Sequence, residues 1–103
     1  MAKPKYHLWW EEKVSESKAY GNAEFLSQIP GVYAIHDRYA YPYAEMRLDA
    51  IDKRSFKKAL RIIITMRGEV LGNVYGVILN GQGYDSSNDP EITNWNYLEE
   101  NYL

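Results

Sequence analysis

The chain has 103 residues, 46% hydrophobic and 25% charged, with a formal net charge of -2. That length suits one domain, 1–103, and the balance excludes a disordered or low-complexity chain. Cysteine is absent, which excludes disulfides, thiolate metal sites, iron–sulfur clusters and a cysteine nucleophile.

The opening stretch, MAKPKYHLWWEE, has no apolar run of signal-peptide length. Leu8-Trp9-Trp10, Ile62-Ile63-Ile64 and Val77-Ile78-Leu79 are short runs, far from the roughly 18 residues of a membrane-crossing helix. With no cysteine, this places the expected site of action in a reducing cytoplasm, of a cell or an infected host, away from membranes.

Residues 5–11 predict a strand, with Tyr6, Leu8 and Trp10 facing one way and His7 and Trp9 the other. The polar stretch 11–18 carries no clear signal. Asn22 suits the cap of a short helix bearing Ala23, Phe25, Leu26 and Ile29, stopped by Pro30-Gly31. Residues 32–38 and 43–50 predict strands joined by a YAYPY hairpin loop. In the second, Ala44, Met46, Leu48 and Ala50 alternate with Tyr43, Glu45, Arg47 and Asp49.

Residues 52–67 fit two patterns. As a helix, Asp52 caps it, Phe56, Ala59, Leu60, Ile63 and Ile64 make one stripe, and Gly68 supplies a left-handed stop. As a strand from 60, Leu60, Ile62, Ile64 and Met66 alternate, and consecutive isoleucines suit it. Cap, stripe and stop agree, so the helix is favoured. Residues 73–79 predict a strand, 80–90 (NGQGYDSSNDP) a loop, and Asp89-Pro90-Glu91 the start of a helix, 90–102, with Ile92, Trp95, Leu98 and Tyr102 as its stripe. The order β-α-β-β-α-β is the ferredoxin-like arrangement: an antiparallel four-stranded sheet, helices on one face, the other face open, plus a C-terminal helix.

Function is less legible. Ten tyrosines against two phenylalanines suit a contact surface more than a core, because tyrosine joins a stiff ring to a polar tip. Tyr39, Tyr41 and Tyr43, with Tyr33 nearby, are spaced to share a side if the segment is extended. With Glu45 and Arg47 they form the expected partner-binding set. The alternative is that these tyrosines merely cover a sheet face.

Arg54, Lys57, Lys58 and Arg61, with Lys53 at the edge, line one face of the helical reading and offer a phosphate-binding stripe. A solvated helix face is the competing account, since the pI is about 5.6. All 12 basic residues precede residue 68, where eight acids leave +4; residues 68–103 hold six acids and no Lys or Arg. Asp85, Asp89, Glu91, Glu99 and Glu100 lie among Tyr84, Trp95, Tyr97 and Tyr102, a mixture able to imitate phosphates and bases before a basic groove. An RNA-stacking sheet needs a glycine and paired aromatics on its third strand; YAEMRLDA has neither.

Catalytic signatures are missing. No H-E-x-x-H, G-x-S-x-G or phosphate-cradling lysine loop occurs, and His36 and Asp37, adjacent on a strand, point to opposite faces. No cofactor or metal is called for. The expectation is a non-catalytic module that contacts another protein in a larger complex, narrowed to a phage-type inhibitor or regulator of a nucleic-acid-handling protein. A homodimer is also open. A nucleic-acid-binding domain using 53–61 is the alternative, and a small hydrolase or nuclease the second.

Overall fold

The computed structural model describes residues 5–102. Five strands form one antiparallel sheet: β1 (Tyr6–Glu12), β2 (Val32–Ala40), β3 (Tyr43–Ala50), β4 (Leu71–Leu79) and β5 (Gln82–Tyr84). Three α-helices accompany them: α1 (Glu16–Leu26), α2 (Lys53–Arg67) and α3 (Trp95–Tyr102). The sheet order is β2-β3-β1-β4-β5.

Alternation along β1 and β3 separates two faces. Leu8, Trp10, Ala44, Met46, Leu48 and Ala50 are buried, as expected, and so is Glu12. They join Ala19, Ala23 and Leu26 of α1 and Phe56, Ala59, Leu60 and Ile63 of α2 in one apolar cluster that also takes in Ile92 and Leu98. The helices therefore pack on the even-numbered side of β1. Among the described residues, no helix lies against the odd-numbered side, with His7, Trp9 and Glu11.

Residues 52–67 are helical. Asp52 accepts a hydrogen bond from the Ser55 N–H at 2.8 Å, and this contact holds the Asp52 carboxyl below 3.8. The isoleucines fit a helix here because Ile63 fills the core while Ile62 and Ile64 pack at its margin, so tertiary burial overrides their strand preference.

Several expectations need correction. The first helix starts at Glu16, where the Ser15 hydroxyl accepts from the Lys18 N–H at 3.3 Å. Asn22 is no cap; it lies inside the helix and donates to Glu12 at 2.8 Å. Small residues four apart, Ala19 and Ala23, face the core and gave little periodic signal. Gly68 is not left-handed: its φ of -50° carries the chain into a 3-10 turn, Gly68–Val70. The expected helix 90–102 is broken into a 3-10 turn, Pro90–Thr93, and α3. Asn94 divides them, accepting from the Asn96 and Tyr97 N–H groups at 3.1 and 3.2 Å. Ile92 and Leu98 are buried; the side chain of Tyr102 lies outside the described residues.

The sheet also departs from the expected four-stranded ferredoxin-like arrangement. The segment 80–90 contains β5, which pairs with β4 through Val77–Tyr84, Ile78–Gly83 and Leu79–Gln82. Asn80 and Gly81 both have positive φ, 52° and 86°. That is the two-residue turn whose twist matches a right-handed hairpin, and Asn-Gly is its preferred sequence.

Candidate functional site

The open face is built by cross-strand pairing of the outward residues of β1, β3 and β4. His7 lies opposite Asp49, Trp9 opposite Arg47, and Glu11 opposite Glu45. The His7 Nδ1 and Asp49 Oδ1 are 2.5 Å apart. The Trp9 indole donates from Nε1 to Glu45 Oε1 at 2.7 Å. The Arg47 guanidinium sits 4.1 Å from the centre of the Trp9 ring and donates from Nε to Asp37 Oδ2 at 2.8 Å. Tyr75 packs on Trp9 with ring centres 5.0 Å apart.

Glu11 and Glu45 would repel across the pair, but each has its own donors. Glu11 accepts from the Asn73 N–H at 3.0 Å and from the Tyr75 hydroxyl. Glu45 has Trp9 and, at 3.9 Å, Arg38. The Glu11 hydrogen bond pushes the Tyr75 phenol up to about 12, helped by burial and the nearby carboxylate charge. These rings are thus fixed in place by charge-assisted contacts, and less rotamer freedom is lost when something binds over them.

A shallow concavity of about 510 Å³ opens between β1, β4 and β5, lined by His7, Trp9, Arg47, Tyr75, Tyr84 and Asp85 among others. The Ser87 hydroxyl, 2.5 Å from Asp85 Oδ1, holds that carboxyl below 3.8 and ionised at neutral pH. Asp49 fixes the His7 ring, the arrangement a general base needs. The lining offers no Ser, Thr or Lys to act as its nucleophile. Among the described residues no group of three or more His, Asp or Glu is placed to hold a metal ion.

The expected partner-binding residues divide. Tyr33, Tyr43, Glu45 and Arg47 do lie on the open face. Tyr33 is 66% exposed. Tyr41 is 87% exposed at the hairpin tip, where a cis Tyr41-Pro42 bond makes the turn. Tyr39 goes the other way: it is half-buried against the core and its hydroxyl donates to the Val14 carbonyl at 2.9 Å. The chain reverses at 41–42, so 39–43 is a hairpin and not one extended run, and a bulge between His36 and Arg38 shifts the phase of β2. Tyr39 consequently faces the helix layer, edge-on to His36, which in turn meets Tyr20 edge-on.

Arg54, Lys57, Lys58 and Arg61 lie on the outer side of α2, across the molecule from the open face, because Phe56, Ala59, Leu60 and Ile63 hold the inner side. Sequence reasoning missed Trp9, Tyr75, Glu11 and the His7–Asp49 pair. Alternation already put His7 and Trp9 outward; the register joining them to Asp49 and Arg47 depends on which strands are neighbours. No family model, curated protein or solved structure matches this chain. Among the described residues no helix is long and apolar enough to cross a membrane.

Proposed function

We propose that this chain is a small non-catalytic interaction module that lays its open sheet face on another protein. The observation that supports it is the ordered array around Trp9. The rings of Tyr75, Tyr43 and Tyr33 stand exposed around a half-buried Trp9, amid the carboxylates Glu11, Asp37, Glu45, Asp49 and Asp85, with Arg38, Arg47 and Lys5 as the cations beside them. Tyrosine and tryptophan anchors surrounded by charge are what binding hot spots are made of. The acid excess suits a basic partner surface, such as the groove of a nucleic-acid-handling protein, and an inhibitor or regulator of the phage type fits that chemistry. The module would act in the cytoplasm, within a larger complex. We read β2-β3-β1-β4 as a ferredoxin-like unit extended by β5.

The test is capture of the partner by the wild type and by Tyr41→Ala with Tyr43→Ala. The double variant should bind at least ~30-fold more weakly, as expected for loss of one hot spot of about 2 kcal/mol, with a melting temperature close to wild type. Full retention of binding would remove the hairpin end of this face from the interface.

A further inference from the structure

We propose that the outer face of α2 is a second contact surface, built for the phosphate backbone of duplex nucleic acid. Lys53, Arg54, Lys58 and Arg61 are exposed and Lys57 is half-buried. These side chains stand three and four positions apart, where like charges on a helix repel. Lys53 and Arg54 also occupy the first turn, whose partial positive charge favours acids, and no acid is there. Among the described residues none of the five makes an ion pair within 4.0 Å, although α3, packed beside α2, carries Glu99 and Glu100. Asp52, the cap, is the acid whose field Arg54 reaches.

Apart from the attraction between Arg54 and the Asp52 cap, the stripe carries mutual repulsion that no partner among the described residues offsets; a polyanion would relieve it. Lys53 to Arg61 spans about 12 Å at 1.5 Å per residue, the axial length of roughly three to four phosphates on one strand. The single aromatic of α2, Phe56, is buried, so this face has no ring on which an unpaired base could stack. Backbone contact with a duplex, indifferent to sequence, is what such a face offers. Glu11, Asp37, Glu45 and Asp49 lie on the open face; Asp52 caps α2, and Glu99 and Glu100 lie on the neighbouring α3 without pairing with the stripe. The inference stands apart from the open-face reading and uses different residues.

A random-sequence DNA duplex, titrated from low to physiological salt, tests it. Binding should appear at low salt, with log K falling against log salt at a slope of about -3 to -4, the value for roughly four neutralised phosphates. Lys57→Ala with Arg61→Ala should lower the slope by about 2 and melt no lower than the wild type, since it removes repulsion. Tyr41→Ala with Tyr43→Ala should leave the slope unchanged, so a failed open face and a failed α2 face give different results. No duplex binding at low salt overturns the proposal, as does an unchanged slope in the α2 variant. Binding to phosphatidylserine vesicles without binding to duplex overturns it too.

Discussion

Glu12 is fully buried, the single charged residue in the interior among those described. It is tolerated there because three elements give it donors. Trp10 Nε1 donates to it at 3.0 Å, Asn22 Nδ2 at 2.8 Å, and Arg67 through Nε and Nη2 at 3.3 and 3.2 Å. One carboxylate thus ties β1 to α1 and to the end of α2. Removing the only cation leaves a buried charge half-satisfied, which costs more than the pair contributes. Arg67→Ala should lower stability by about 3 kcal/mol, read as a shift of the urea midpoint with unchanged slope; a change below ~1 kcal/mol would mean water replaces the guanidinium. At the opposite surface, Tyr75 titrates late. Its folded value, about 12 against an ordinary 10.0, means the protonated phenol is favoured by folding. Its stabilisation is complete below the unfolded value and is lost as pH rises from 10 toward 12. The absorbance difference between wild type and Tyr75→Phe should show phenolate forming near 12; a midpoint near 10 would place the hydroxyl out of reach of Glu11.

Among the elements, those with strong periodicity were legible and those with local irregularity were not. The stripe of α2 and the alternation of β1 and β3 follow from burial of one side, and their inward residues are the ones expected. The second half of α1 was legible, but its start at Glu16 was not, because the buried positions are alanines and one leucine, which leave a weak stripe. The short strand β5 is hidden in a stretch of loop-like composition, although Asn80-Gly81 between an apolar run and QGY is a hairpin signal. Two bulges were beyond reach. The bulge near Asp37 reverses which side Tyr39 faces, and a register shift between Trp9 and Trp10 lets Tyr75 reach Trp9 on the open side. A bulge inserts one residue without a composition mark, so spacing rules fail after it. The candidate site was accordingly half-legible: Tyr33, Tyr43, Glu45 and Arg47 lie on one face, while their strongest neighbours come from strands distant in sequence.

For the molecule as a whole, the question left by an open sheet is where another strand could join. A free edge pairs with any other free edge, including that of a second copy. Along the first half of β2 the outward groups are already engaged: the Val32 N–H donates to the Ile29 carbonyl at 3.0 Å, and the Ser27 hydroxyl accepts from the Ala34 N–H at 2.9 Å while donating to the Ala34 carbonyl at 3.0 Å. The second half holds the bulge at Asp37 and the exposed Arg38, which interrupt a straight ladder and add charge. At the far edge β5 has only the residues Gln82–Tyr84, too short to template a stable pairing. These features disfavour self-association by strand addition along β2 and β5, one route to the homodimer that a sheet edge left open. What remains uncovered is acidic on one face and basic on the other, so contacts between copies would be face to face and weakened by salt. The chain should sediment as a 12.0 kDa species across the micromolar range at physiological salt. A stable dimer there, unaffected by salt, would show that one of these edges is open after all.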